Sequence, residues 1–259
     1  MKLLKNNYIE LLLVIYLAIT LSFIEVERKS LACTGISVYI EKEPAHYFVD
    51  REEVVQVVKD KSERIEGALL GRINILKIEK AVNLNPSVER ADVYRTLNGR
   101  LCVRVKQRDP IVRVINNTFE GYYIDTKGAM MPTSNKYTAR VPIANGSINE
   151  PYKLRYTTDL MKSGNKKDIL RDIYVVSLFI RENEFMNALV EQIYVDENKE
   201  FVLVPKIGPQ EIMLGSAQDV EAKCAKLWII YNKALPHGRW DMYKRIDLRF
   251  KNQVVCTKK

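Results

Sequence analysis

The sequence predicts an α+β chain: an N-terminal transmembrane helix, a β-α-α-β-β module, and then a mixed β-rich domain with flanking helices. Three observations predict it. The run Tyr8–Ile24 is apolar apart from Glu10, Thr20 and Ser22. Asn98-Gly99 sits between two alternating runs, behind a helical pattern that Pro86 stops. Past Pro110, short strand patterns are interspersed with two amphipathic helices. At 259 residues, 47% apolar and 28% charged, the chain is long enough to bury a sizeable core and has a globular composition.

The first element follows from length and flanking charge. As a helix, Tyr8–Ile24 spans about 25 Å, a little short of a hydrocarbon core of roughly 30 Å; with Val26 the expected span is 8–26. Lys2 and Lys5 precede it in a short tail, residues 1–7, whereas Glu25, Glu27, Arg28 and Lys29 nearly cancel behind it. The positive-inside bias puts the tail in the cytoplasm and the bulk of the chain outside. A cleaved signal peptide is the rival reading, but charges stand where small residues should lead to a cleavage site. Ser30-Leu31-Ala32-Cys33 resembles a lipoprotein cleavage box with Ser in place of the usual Leu. A buried soluble helix is the remaining alternative.

The module covers residues 35–107. Ile36–Ile40 alternates and predicts a strand. Asp50 is placed to cap a helix with Glu53 as its third-position partner, and Val54, Val57 and Val58 form the stripe behind it. Gly67 and Gly71 loosen the link to a second helix, Ile75–Leu84. A strand over Val88–Arg95 then turns at Asn98-Gly99 into a strand over Leu101–Lys106. A two-residue type I′ turn, with φ > 0 at both positions, is the expectation there. Pro110 ends the unit, because proline gives no N–H to a ladder.

Residues 110–259 form the expected β-rich domain. Ile111–Ile115 and Gly121–Asp125 are strands. Asp125 can bond its own backbone in the turn that follows, and Gly128 supplies a left-handed position. Asp168–Ile180 is an amphipathic helix with Ile169, Ile173, Val176 and Ile180 on one face. Val190–Asp196 and Phe201–Pro205 make a hairpin across Glu197-Asn198-Lys199, and Glu211–Leu214 is another strand. A helix after Asp219 buries Val220, Cys224, Leu227 and Tyr231, with Pro236 beyond its end. Tyr243–Phe250 alternates, and Val254–Thr257 closes the chain.

Little in this sequence points to chemistry. Its two histidines, His46 and His237, fall in different domains, which leaves no basis for a zinc site or a histidine-based triad. No nucleophile elbow, phosphate loop or dinucleotide fingerprint is present. Ser163-Gly164-Asn165-Lys166 matches S-x-x-K without its partner motifs and reads as punctuation before a helix. Asn116-Asn117-Thr118 and Asn145-Gly146-Ser147 are sequons by pattern alone, and Asp109 and Asp247 read as structural carboxylates pairing with Arg108 and Arg249. Four scattered cysteines, Cys33, Cys102, Cys224 and Cys256, make neither a disulfide scaffold nor a metal site; Cys102 and Cys224 read as small buried hydrophobes, although one pair could bridge in an oxidising compartment. No catalytic residue, metal or cofactor is expected.

The net charge is +9, and Asp219–Lys259 holds ten Lys/Arg against four Asp/Glu. Lys244, Arg245, Arg249 and Lys251 beside Trp240, Tyr243 and Phe250 could mimic a nucleic-acid surface. Export removes the nucleic acid, and strand alternation separates Arg245 and Arg249 from Ile246, Leu248 and Phe250. A solvated surface or a protein partner is the better reading.

Several of these stretches resemble the FtsQ/DivIB family of bacterial cell-division proteins. The residues that carry the resemblance are the helix, Asn85-Pro86 and hairpin leading to Pro110; Tyr122-Tyr123-Ile124-Asp125 with Gly128, Met131-Pro132 and Arg140-Val141-Pro142-Ile143; and Ile246-Asp247-Leu248-Arg249-Phe250, where Phe stands for the family's commoner Tyr. The resemblance implies a POTRA-like domain over 35–107 and an FtsQ-type β-domain over 110–259. It implies a single-pass protein of the cytoplasmic (inner) membrane, its bulk in the periplasm at the division septum. There it would bind FtsB-like and FtsL-like bitopic partners and help to regulate septal peptidoglycan synthesis without catalysis. Recruitment by upstream division proteins would fall to the POTRA-like domain. The FtsB-like partner would add a strand at the C-terminal edge, at Arg245, Arg249, Phe250, Lys251, Gln253, Val254, Val255, Cys256 and Thr257. Asn98, Gly99, Pro110, Asp125 and Gly128 are structural in this reading. An exported lipoprotein, or a periplasmic scaffold or chaperone using a single POTRA module, is the alternative. Transport proteins of that kind generally carry several such modules or a membrane barrel, for which there is no strand set here.

Overall fold

The computed structural model describes residues 2–41, 47–61, 65–152, 160, 168–234 and 242–259, with the backbone alone at 2–7, 23–30 and 234. His46, His237, Pro236, Trp240 and Ser163–Lys166 lie outside the described residues, as do the side chains of Lys2, Lys5, Glu25, Glu27, Arg28 and Lys29. The chain divides into two compact units, residues 1–107 and 108–259.

The first unit opens with a helix, α1 (Lys2–Ser30). Its apolar side chains from Ile9 to Leu21 are exposed, Leu12 and Leu13 by more than 60%. Among the described residues no helix is long and apolar enough to cross a membrane, so the expected span at 8–26 is not found as such; it lies within this longer helix. The remaining elements are β1 (Gly35–Ile40), α2 (Arg51–Asp60), a short 3-10 turn at Leu70–Arg72, α3 (Ile75–Asn83), β2 (Val88–Arg95) and β3 (Arg100–Gln107). β3 is central, parallel to β1 and antiparallel to β2. Leu101, Val103 and Val105 on one face of β3 are fully buried, together with Val58 of α2 and Ile78 of α3.

Local chemistry sets the ends of these elements. Asp50 Oδ1 accepts from the Glu53 N–H at 2.8 Å while Glu53 accepts from the Asp50 N–H, a reciprocal cap that satisfies two orphan donors. Val57 is only half-buried, so Val54 and Val58 carry the stripe. Asn83 then ties α3 to β2, accepting from the Ala91 N–H and donating to the Ala91 carbonyl.

The hairpin corrects the expected turn. Of Asn98 and Gly99 only Gly99 has positive φ, at 76°. Thr96 pairs with Arg100 and the Gly99 N–H bonds the Thr96 carbonyl, so the loop is Leu97-Asn98-Gly99. This is a type I turn closed by a left-handed glycine, the three-residue solution in place of I′. Gly99 is still required, since a Cβ there would stand 3.0 Å from the Ala32 carbonyl. Gly99→Val is expected to destabilise the unit by about 1–3 kcal/mol, read as a lower denaturation midpoint at unchanged slope; an unshifted midpoint would refute this turn.

The second unit is a nine-stranded mixed sheet in the order β12-β11-β10-β9-β8-β7-β4-β5-β6. Its strands are β4 (Pro110–Ile115), β5 (Gly121–Asp125), β6 (Met130–Pro132), β7 (Ile143–Gly146), β8 (Val190–Val195), β9 (Phe201–Pro205), β10 (Glu211–Gly215), β11 (Tyr243–Asp247) and β12 (Val255–Lys258). The helices α4 (Ile169–Glu182), α5 (Glu184–Leu189) and α6 (Val220–Ile229) pack into its core. Ile173, Val176 and Ile180 of α4 and Cys224 and Leu227 of α6 meet Val112, Ile193, Leu203, Ile212 and Ile246 of the sheet.

Pro110 sits at the first position of β4, where a missing N–H costs the ladder least. Asp125 is buried and accepts from the Lys127 and Ala129 N–H groups at 2.9 and 2.7 Å, with Gly128 at φ 74° completing the turn. Its other oxygen takes Arg108 at 2.8 Å, and Asp109 pairs instead with Arg181 of α4, which corrects the neighbour pairing expected of them. In the first sequon, Asn116 is buried and spent on the Thr118 and Glu120 N–H groups. Asp168 caps α4, accepting from the Leu170 N–H. Asp219 does not cap α6; it adopts φ 51° with no side-chain bond. All four described cysteines are free, and Cys102 is half-buried where a buried hydrophobe was expected.

Candidate partner-binding edge

The expected C-terminal sheet edge is built from two short strands and the bend between them. β11 runs parallel to β10, with Glu211 opposite Arg245, and β12 runs back antiparallel, with Arg245 opposite Thr257 and Asp247 opposite Val255. β12 is the outermost strand. The Lys259 N–H reaches inward to the Met242 carbonyl. Alternation along an antiparallel strand then turns the backbone N–H and C=O groups of Thr257 and Val255 toward β11, and those of Cys256 and Lys258 away from it.

β11 ends at Asp247, three residues short of the run expected to Phe250, and the cause is local. Asp247 Oδ1 accepts from the Arg249 N–H at 3.1 Å, bending the chain off the ladder. The Arg249 side chain then folds back. Its Nε and Nη2 bond the Asp247 carboxylate at 3.0 and 2.6 Å, and Nη1 bonds Glu200 at 2.8 Å. From α6, Lys226 Nζ donates to the Leu248 and Phe250 carbonyls at 3.0 and 2.6 Å. Gly215 makes room for this clasp: with φ 74°, a Cβ there would lie 2.7 Å from Arg249 Cγ. Leu248 plugs the core, leaving Phe250 43% exposed on the rim.

The nine residues expected to meet a partner therefore divide. Phe250, Val255 and Thr257 are exposed, as are Lys251 and Gln253. Val254 and Cys256 are partly buried against the core and hold β12 in place; burial pushes the Cys256 thiol up. Arg249 is engaged with two carboxylates, so it shapes the bend rather than offering a free cation. Arg245 makes a half-exposed pair with Glu211 at 3.2 Å, a contact weak enough in water to be exchanged for another acid. Glu200, Glu211, Gly215 and Lys226 were not legible as parts of this edge. Only Gly215, a glycine ending a strand, carried a signal.

The Arg249 hydrogen bond holds the Asp247 carboxyl below the usual range, against the opposing pull of burial. A depressed folded-state value stabilises the fold above the unfolded carboxylate range, and the contribution disappears as pH falls through the folded value. Asp247→Asn is expected to lower stability by about 1 kcal/mol at neutral pH, since Arg249 is well exposed to solvent. The wild-type advantage should vanish at strongly acidic pH; an advantage independent of pH would show that the carboxylate charge is not its source.

Among the described residues no group of three or more His, Cys, Asp or Glu is arranged to hold a metal. A family model described as FtsQ/DivIB, C-terminal related, matches residues 109–257, more than half of the chain, and one described as a POTRA-like domain matches residues 31–106. No curated protein matches the chain.

Proposed function

Because this chain belongs to the FtsQ/DivIB C-terminal-related family of cell-division proteins, we propose that it is a bitopic, non-enzymatic scaffold that receives a strand of an FtsB-like partner on β12. With an FtsL-like protein in the same complex, it thereby helps to regulate septal peptidoglycan synthesis. The observation that carries this reading is the outermost position of β12, with its exposed Val255 and Thr257. An edge strand with outward-facing backbone groups is a template for strand addition. Arg245, Lys251 and Lys258 around it favour an acidic incoming segment. Recruitment by upstream division proteins is assigned to the first unit on family grounds.

Anchoring is part of the proposal. The hydroxyls of Thr20 and Ser22 donate to carbonyls of their own helix, so these two polar groups are satisfied within an exposed apolar helix. The lipoprotein alternative is disfavoured because Cys33 is buried, with its N–H bonded to the Ala68 carbonyl and its carbonyl to the Gly67 N–H. A reporter active only outside the cytoplasm and fused after Lys259 is expected to work; activity of a cytoplasmic reporter there would reverse the orientation. Hydrogen exchange of the full chain with and without an FtsB-like partner tests the docking itself. New protection should appear at the outward-facing Cys256 and Lys258 N–H groups, and protection confined elsewhere would overturn the edge assignment.

A further inference from the structure

The helices of the second unit form a cleft of about 650 Å³ among themselves. Phe179 of α4 and Phe185 of α5 contribute one part of its lining, and Cys224, Trp228 and Ile229 of α6 another. Glu184 and Glu221 also line it and are exposed. We infer that this cleft receives an amphipathic α-helix from a partner protein, one with lysine or arginine flanking its apolar face.

Three observations choose this occupant. The first is the excess of apolar surface on α6. Its inner face is already used by Val220, Cys224 and Leu227, yet Trp228 and Ile229 are 47% and 49% exposed. A helix that is apolar beyond its core stripe has a second surface to cover. Burial keeps the Cys224 thiol protonated, its pKa pushed up to about 12, so this part of the lining is uncharged.

The second observation is the kind of backbone around the cleft. Its lining residues come from three helices and the cap between two of them, and Asn183 is spent on the Met186 N–H. Among the described residues the cleft offers no strand edge, so an incoming segment must satisfy its own main chain, which a helix does.

The third is sign. The chain is strongly basic, yet among the described residues that line the cleft the two charged ones, Glu184 and Glu221, are both acidic. The cations nearest to them in sequence are engaged. Arg181 pairs with Asp109, Lys223 donates to the Ser216 carbonyl, and Lys226 holds Leu248 and Phe250. An acidic rim opposes anionic lipid and complements a basic flank.

The inference does not depend on the strand-docking proposal, since the cleft and β12 share no residue. It is tested with the full chain in zwitterionic nanodiscs and two labelled helical peptides. Both carry leucine at i, i+3, i+4 and i+7; one is flanked by lysines and the other by glutamates. The lysine peptide should bind saturably, about tenfold or more tighter than its glutamate counterpart. Trp228→Ala should weaken it about tenfold, with folding checked by circular dichroism. Glu184→Lys combined with Glu221→Lys should reverse the preference. Cys256→Pro, which removes only an outward-facing donor of β12, should leave this binding intact while weakening strand docking, so the two ideas fail separately. Absence of saturable binding, equal binding of both peptides, or binding indifferent to Trp228→Ala overturns the inference. So does a Trp228-dependent preference for peptide-free phosphatidylglycerol vesicles, which would make the cleft a lipid contact.

Discussion

Gly146→Ala is expected to destabilise the second unit by about 2–6 kcal/mol, a large part of the stability of an ordinary domain. Gly146 ends β7, an interior strand between β4 and β8, and has φ 99°. A Cβ built there would stand 2.2 Å from the Val195 carbonyl and 2.9 Å from the Tyr194 ring. The carbonyl has no freedom to retreat, because it already accepts the Ser147 N–H at 2.7 Å. Backbone strain and overlap therefore act together, and neither is relieved by turning a side chain. Chemical denaturation of the full chain should show the second unit's transition moved to much lower denaturant, with the first unit's transition in place. A variant within about 1 kcal/mol of wild type would mean that β7 and β8 can separate to admit the methyl group.

Gly146 also marks where sequence reading stopped. Asn145-Gly146-Ser147 reads as a sequon by pattern, yet Asn145 and Gly146 belong to an interior strand and Asn145 accepts from Gln192. A four-residue strand, paired in parallel on both sides, has too few residues to show periodicity. Longer elements were legible because their signals are local and repeated. Asp50 and Glu53 identified a helix start from two side chains, and Ile169, Ile173, Val176 and Ile180 identified a buried face from spacing alone. The hairpin was legible as a hairpin but not as a turn type, because Asn98-Gly99 serves both I′ and the three-residue loop that Thr96 and Arg100 select. At the edge, the alternation of Tyr243–Phe250 concealed a bend made by Asp247 and Arg249. Its further partners, Glu200 and Lys226, are 49 and 24 residues from the groups they hold. Such distant pairings leave no pattern in a single chain.

Removal of residues 253–259 is expected to abolish capture of an FtsB-like strand, and two point variants isolate the reason. Truncation alone is ambiguous, because it strips Val254 and Cys256 from the core and exposes β11 as a new edge. Cys256→Pro acts on the edge itself. The Cys256 N–H points away from β11, so proline removes the donor that an incoming strand would use while leaving the β11–β12 ladder its inward bonds. Binding should fall about tenfold or more, as for loss of a central contact. Phe250→Ala acts on the rim: the ring is 43% exposed and the residue is held through its carbonyl by Lys226, so the bend survives the loss of the side chain. A cost of about 2 kcal/mol, near thirtyfold in affinity, is expected if the ring anchors the partner. Phenylalanine supplies no hydroxyl here, so this contribution is apolar contact and should change little with salt, whereas Lys251→Glu should weaken binding most at low ionic strength. Pull-down and calorimetry against an FtsB-like peptide, with circular dichroism on every variant, read these effects. Septal localisation should persist throughout, since recruitment is assigned to the first unit. Undiminished binding by a folded Cys256→Pro chain would show that the partner does not extend this sheet.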